Sequence, residues 1–295
     1  MDLAIRRATP RDRRAVLEMV RTNWGGGDYL PHVFDRWVRS RRHPLYVACA
    51  GERVVGVARL AWLAPHEAWL ETLRVAPRWR RRGVGRALME YRIARAREKG
   101  ARRIAFSTAY DNVAIHRAAR HLGFRRVAAL QRREAQARAG PSPRRAVRRE
   151  LAALWRLAVA ARRPLSRFVN VGFGWRWKPI VRDDLTRAVR RGGCLVVDGP
   201  SGVGALAVVD VLDDRDSARV GERPAGSVRT LSVRYLAGSA PSIRSLLGSL
   251  RAEASRRGLA KVSCYAPHRE LGATFESAGY RRPWRGSARL YERVL

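Results

Sequence analysis

A chain of 295 residues, 46% of them hydrophobic, is long enough for two packed domains. No stretch reaches the ~18 uncharged apolar residues a membrane span needs, and the opening Met1-Asp2-Leu3-Ala4-Ile5-Arg6-Arg7 lacks the apolar segment of a secretory signal. A cytoplasmic protein with no membrane partner is therefore expected. The net charge of +36 suggests nucleic acid, yet only three of the 61 basic residues are lysines (Lys99, Lys178 and Lys261). That imbalance is read mainly as a bias toward GC-rich codons. Nucleic acid is thus a partner to consider but not the favoured one, and the charge equally suits a small anionic ligand. Cys49, Cys194 and Cys264 lie far apart without CxxC or Cys/His spacing, so no disulfide framework and no metal site are expected.

In chain order, Asp2 to Arg7 reads as a strand. Thr9-Pro10-Arg11-Asp12 reads as a helix entrance, with a hydroxyl cap, proline at the first helical position and an acid in the first turn. Two helices follow, joined by the loop Asn23-Trp24-Gly25-Gly26-Gly27-Asp28-Tyr29-Leu30-Pro31. Its three glycines allow mobility or close backbone approach. Asp28 could hold an ammonium group and Trp24 or Tyr29 could stack on a substrate; an ordinary helix connection is the alternative. Three strands come next: Tyr46 to Cys49, Val54 to Leu60 and Trp69 to Val75. Strands in succession without helices between them imply antiparallel pairing in a mixed sheet.

The stretch from Leu73 to Leu88 carries the chemistry. Leu73-Arg74-Val75 ends a strand, Arg80-Arg81-Arg82-Gly83-Val84-Gly85-Arg86-Ala87 forms a basic glycine-containing turn, and a helix follows up to Gly100. Free N–H groups converge at such a helix start, the helix dipole adds positive charge, and glycines let a phosphate approach the backbone. This is a pyrophosphate site. It is not a Walker A loop, because no Gly-Lys-Ser/Thr follows. It is not the dinucleotide fingerprint either, because Leu88 stands at the third glycine. A strand from Arg103 to Ser107, a helix and Gly123-Phe124 complete the first half.

Arg80-x-x-Gly83-x-Gly85 after Leu73-x-Val75, with Asn112 and Leu122-Gly123-Phe124 downstream, resembles the GNAT superfamily of acyltransferases, as does the opening Ile5-Arg6-Arg7-Ala8-Thr9-Pro10-x-Asp12. The resemblance covers residues 2 to about 132 and extends to 175–295 only as a fold. It implies acetyl-CoA as co-substrate, without a metal, and transfer to a primary amine of an amino acid, peptide or protein N-terminus in a ternary complex. It implies that Leu73, Arg74 and Val75 offer backbone to the pantetheine arm. Arg80, Arg81, Arg82, Gly83, Val84, Gly85, Arg86 and Ala87 would wrap the pyrophosphate, and Asn112 would sit near the thiol. Glu71, read by alternation onto the face of Trp69, Leu73 and Val75, is the candidate base, an arginine-paired carboxylate being the alternative. The tyrosine that many members place before Gly-Phe is Ala119 here, so Tyr110 and His116 are the candidate acids. The loop with Trp24, Asp28 and Tyr29, together with Phe34 and Trp37, is similar to a branch that includes histidine N-acetyltransferases, which points to an α-amine.

The second half repeats the first. Leu231-Ser232-Val233 is read as the counterpart of Leu73-Arg74-Val75, Gly258 of Gly100 and Gly279 of Gly123, at spacings of 158, 158 and 156 residues. It has no Arg-x-x-Gly-x-Gly. Between the halves, Ala139-Gly140-Pro141-Ser142-Pro143 breaks the chain. Ser142-Pro143 is expected to start a helix with Val147, Leu151, Leu154, Trp155 and Ala158 on one face and Arg145, Arg148, Arg149 and Arg156 on the other. That helix is read as docked on a domain, or as a nucleic-acid or membrane-surface contact. The expected organisation is α/β (α+β): a GNAT-like domain over 1–135 with the acetyl-CoA site, a basic helical linker over 136–174 and a degenerate GNAT-like domain over 175–295. A non-catalytic acyl-CoA-sensing or RNA- and ribosome-binding module is the alternative function.

Overall fold

The computed structural model describes residues 2–160, 167–171, 175–212, 229–267 and 271–295. The first half runs β1 (Ala4–Arg7), α1 (Arg13–Val20), α2 (Leu30–Arg39), β2 (Leu45–Ala50), β3 (Arg53–Ala64), β4 (Glu67–Val75), α3 (Val84–Glu98), β5 (Arg103–Ala109), α4 (Val113–His121) and β6 (Arg125–Gln136). Local chemistry accounts for these bounds. The Thr9 amide donates to Asp12 Oδ2 at 2.7 Å, and Arg6 grips the same carboxylate with two nitrogens, fixing the turn into α1. The α2 helix buries Leu30, Val33, Phe34, Trp37 and Val38, a helical period. Gly100 follows α3 at φ 75°, a left-handed stop that suits glycine.

The second half runs β7 (Arg144–Arg145), α5 (Leu151–Ala160), β8 (Phe168–Asn170), β9 (Trp177–Pro179), α6 (Arg182–Arg190), β10 (Cys194–Gly199), β11 (Gly202–Leu212), β12 (Thr230–Gly238), α7 (Ala240–Arg256), β13 (Lys261–Pro267), α8 (Gly272–Ser277) and β14 (Ala288–Val294). The helix expected from Ser142-Pro143 begins later. Arg144 and Arg145 instead pair with Val196 and Leu195 at the sheet edge, where Arg144 binds both Glu150 and Asp198. Tertiary pairing overrides the helical periodicity there, and Val147 stays exposed. The helix that does form buries Leu154 and Ala158 against β10, β11 and β12, so it is docked.

Both halves share one sheet, in the order β1-β2-β3-β4-β5-β14-β6-β13-β12-β11-β10-β7. Among the described residues only β4–β5 and β12–β13 are parallel. At the centre the halves exchange strands. The last strand, β14, pairs with β5 from Ala288↔Ala109 to Val294↔Arg103, while β6 pairs with β13 from Lys261↔Gln136 to Pro267↔Leu130. Packing on one face involves α1, α2, the β8–β9 hairpin, α5 and α6. The opposite face is packed by α3, α4, α7 and α8. Among the described residues no helix is long and apolar enough to cross a membrane.

Candidate functional site

The site is built where β4 and β5 part. Their parallel pairing covers only Glu67↔Arg103, Ala68↔Ile104 and Trp69↔Ala105. Beyond it, β4 bulges: Arg59 faces Glu71 and Val57 faces Arg74, so Thr72 and Leu73 together oppose Ala58. Thr72 takes φ 59°, rare for a β-branched residue, and its hydroxyl is 2.6 Å from the Tyr29 hydroxyl. A bulge leaves ladder carbonyls unpaired, and Arg92 of α3 meets them. Fully buried, it donates from Nη1 to Arg59 O at 3.0 Å and to Glu71 O at 3.2 Å, and from Nε to Leu88 O. Burial holds its pKa well below the ordinary guanidinium range.

The bulge corrects the expected alternation of β4. Leu70, Leu73 and Val75 pack on the α3 face, whereas Trp69 packs under the β8–β9 hairpin, and Glu71 pairs there with Arg59 and Arg176. One extra residue at 72 switches every later side chain to the other face. Glu71 accepts from Arg59 Nη1 at 2.5 Å and from Arg176 Nε at 2.6 Å, one on each oxygen. Arg59 in turn lies over the Trp37 ring at 4.0 Å.

The turn before α3 presents an open helix start. Arg81 and Gly83 are left-handed, at φ 60° and 82°. Gly83 precedes Val84 without a capping side chain, and Ala87 N donates to Gly83 O at 2.9 Å. Val84, Gly85 and Arg86 thus have amides with no partner inside the helix. A Cβ on Gly85 would meet only Val75 and Leu73, at 3.7 and 3.8 Å, an ordinary contact, so the fold does not require glycine there. Gly56 is different: a Cβ there would lie 2.8 Å from Leu88 and 2.9 Å from Val84, so its bareness lets α3 press onto β3. Arg80 Nε reaches Val75 O at 3.3 Å, Arg82 lies over Trp79, and Arg86 pairs with Glu90 on the surface. The open amides, the left-handed turn and the unforced glycine suit a diphosphate.

The other expected residues divide. Asp28 is buried and occupied: Arg74 Nε lies at 2.8 Å, Asn23 Nδ2 at 3.1 Å and Leu30 N at 3.1 Å. Tyr29 packs edge-on to Trp37, and burial raises its pKa. Trp24 lies on the short turn Asn23–Gly26, but its side chain is outside the described residues. Arg74 also donates to Leu73 O at 3.1 Å, engaging a carbonyl expected for pantetheine. Asn112 caps α4, accepting from Ile115 N, and donates to Thr108 Oγ1 at 3.0 Å. His116 is held at both nitrogens: Nε2 lies 2.9 Å from Tyr110 O and Nδ1 3.0 Å from the Tyr291 hydroxyl. A carbonyl only accepts, so Nε2 donates to it, and in the neutral ring Nδ1 accepts from Tyr291. Tyr110 is 44% exposed.

Sequence reasoning missed Arg59, Arg92, Arg176, Trp175 and Trp284. The turn at Pro65–His66 alone would set Arg59 opposite Thr72, and an irregularity between Trp62 and Ala64 moves it to Glu71. The others meet the site from distant positions in the chain and left no local pattern.

Residues 13–124 match the family model described as Acetyltransferase (GNAT) family. The chain is 29% identical over 129 residues to an aminoglycoside N(6')-acetyltransferase type 1 of Stenotrophomonas maltophilia, across 41% of this chain and 84% of that protein. Its fold is similar to a GCN5-related N-acetyltransferase from Sphaerobacter thermophilus, at TM-score 0.61 and 14% identity over 99% of this chain and 95% of that one. A tandem GNAT protein from the clavulanic acid biosynthesis pathway superposes at TM-score 0.53 and 16% identity, over 99% and 98%.

Proposed function

We propose that this chain, whose residues 13–124 match the acetyltransferase (GNAT) family model, moves the acetyl group of acetyl-CoA to a primary amine, of an amino acid, peptide or protein N-terminus, by direct attack in a ternary complex. The observation that carries this reading is the open start of α3 beside the parted strands β4 and β5. In this reading Arg80 to Ala87 hold the pyrophosphate through the free amides and guanidiniums. Leu73, Arg74 and Val75 offer backbone to the pantetheine arm, and Asn112 lies near its end. Acetyl-CoA supplies the thioester.

The amine nitrogen forms a bond to the acetyl carbon, the carbon–sulfur bond breaks, and the proton lost by the amine balances the one the thiolate gains. Glu71 is the carboxylate for the amine's proton, directly or through water, since each oxygen keeps a lone pair beyond its arginine bond. Tyr110 is the better acid for the thiolate, because His116 has both nitrogens engaged and holds the Tyr110 carbonyl. His116 is then a positioning residue. We further read the protein as cytoplasmic, with domains over 1–135 and 175–295 joined by 136–174, of which β7 and α5 pack on the second domain.

Calorimetric titration with acetyl-CoA tests the site. Wild type is expected to bind, and Arg80→Ala/Gly83→Val to lose at least about 100-fold in affinity, from one charge-assisted bond of about 1.5–3 kcal/mol and a left-handed position closed to valine. Unchanged affinity in that variant would move the site elsewhere.

A further inference from the structure

The face of the sheet opposite α3 is crossed, at the parting of β4 and β5, by residues of the second half. Ser107 Oγ of β5 donates to Trp175 O at 2.6 Å, and Arg176 Nε donates to Glu71 Oε2 of β4 at 2.6 Å. Residues 175 and 176 therefore bridge the two arms of the parting. Trp177 anchors the bridge, buried in a cluster with Ala61, Trp69 and Ala105 and edge-on to Tyr265.

An aromatic row continues from the bridge. The Trp175 ring stacks on Trp284 at 5.6 Å and 26°, and Trp284 meets the edge of Tyr110 at 6.0 Å. Trp175 spends its ring N–H on the Tyr265 hydroxyl at 2.8 Å, so its orientation is fixed. Trp284 is fixed too. A Cβ on Gly286 would fall 1.9 Å from its ring, so the indole lies directly on that backbone. The next residue, Ser287, accepts the Tyr110 amide at 3.0 Å and ties the row to the end of β5. Yet Trp284 is 38% exposed and Tyr110 44%. Large, ordered and exposed aromatic rings beside a reaction site make a platform for a flat apolar group, since little entropy is lost when they bind.

The charges nearby exclude another class of acceptor. Glu71 is clamped by Arg59 and Arg176, and Asp28 by Arg74. Exposed Arg281, Arg282 and Arg285 flank Trp284 in the chain. Among the described residues, Asp111, exposed beside Tyr110, is the carboxylate there without an arginine partner. A polycation would meet several guanidiniums against that one carboxylate.

We propose that the acceptor site is a composite of both halves, and that it takes a primary amine carrying an aromatic ring and no further positive charge, the ring lying on Trp284 and Tyr110. This rests on the acetyl-transfer reading above. The test is thiol release by the full chain with acetyl-CoA and four probes: tryptamine, L-tryptophan, spermidine and kanamycin. The first two are expected to have KM values at least about tenfold below the others. Trp284→Ala is expected to raise the tryptamine KM about tenfold with kcat and the acetyl-CoA KM little changed, and Trp284→Phe to restore most of it. Preference for spermidine or kanamycin, no turnover of the aromatic amines despite calorimetric binding of acetyl-CoA, or an unchanged tryptamine KM in Trp284→Ala would each overturn the composite site while leaving the cofactor site standing. No binding of acetyl-CoA at all would overturn both.

Discussion

In the first half eight residues, 76–83, separate β4 from α3; in the second half a single residue, Ser239, separates β12 from α7. The strands before these junctions correspond. Glu67 opens the parallel pairing of β4 and Thr230 that of β12, and each strand bulges beyond it, at Thr72 and at Arg234. By this register Arg234 stands where Glu71 stands, and Leu236-Ala237-Gly238 where Leu73-Arg74-Val75 stands. The expected counterpart Leu231-Ser232-Val233 is therefore five residues early, because the spacing was anchored on glycines beyond the shortened loop.

The two helix starts then diverge. α3 opens on Gly83 with no capping side chain. α7 opens on Ser239, whose hydroxyl oxygen accepts from Ser242 N, and Pro241 in its first turn has no N–H to offer. Gly238 is consumed by packing, since a Cβ there would lie 2.6 Å from Ala205 Cβ. Arg234 is turned to Asn170 Oδ1 at 2.9 Å and to Asp210. The scaffold survives duplication because the sheet needs it for burial, whereas a surface loop can be lost without disturbing the core.

Changes at the two junctions sharpen this contrast. The largest effect is expected from Gly85→Asp. An acid in the first turn suits the helix dipole and adds a few tenths of a kcal/mol, about 0.3–1, to stability. It also opposes a bound diphosphate, two charges about 4 Å apart near a surface costing about 4 kcal/mol. Thermal unfolding should show an equal or higher midpoint while calorimetry shows at least about tenfold weaker acetyl-CoA binding. A matching loss of both would mean Gly85 serves the fold.

Ser239→Ala should do the reverse. Removing the cap costs about 1 kcal/mol of stability in denaturant titration and leaves acetyl-CoA affinity unchanged. A change in affinity would mean the second half shares the ligand.

The smallest effect concerns a device both halves keep. Arg6 binds Asp12 and Arg144 binds Glu150, six residues apart in each case, at the entrance to the first helix of each half. These guanidiniums hold both carboxyls below the usual range. A depressed folded pKa contributes stability above the unfolded value, near about 4, and loses it as pH falls through the folded one. Asp12→Asn and Glu150→Gln should each cost up to about 1 kcal/mol at pH 7, fading to nothing in strong acid, with the more exposed Glu150 pair giving less. Equal costs at pH 7 and pH 2 would reject the ion pairs as the cause.

Much of the first half was legible because its signals are contiguous. The helix entrance at Thr9-Pro10, the stop at Gly100 and the strand–turn–helix around Gly83 all follow from residues within one or two turns of each other. Glu71 was found as a candidate, but its face was misread because nothing in Glu71-Thr72-Leu73 marks an extra residue in the ladder. For Asp28 the sequence leaves a ligand contact and an ordinary helix connection both open, since its arginine partner lies 46 residues away.

By itself, then, the sequence determined the order of elements in the first half, the repeated plan of the second and the glycine-containing turn before α3, all of which are written in short-range periodicity, capping and glycine placement. Only the tertiary structure decided that β14 would cross into the first half's sheet and β6 into the second's. It alone set Arg176 on Glu71 and laid Trp175 and Trp284 beside Tyr110. Those contacts join residues more than 100 positions apart, where the free energy comes from burial and pairing of complementary surfaces. No local propensity encodes which distant strand or ring will complete such a surface.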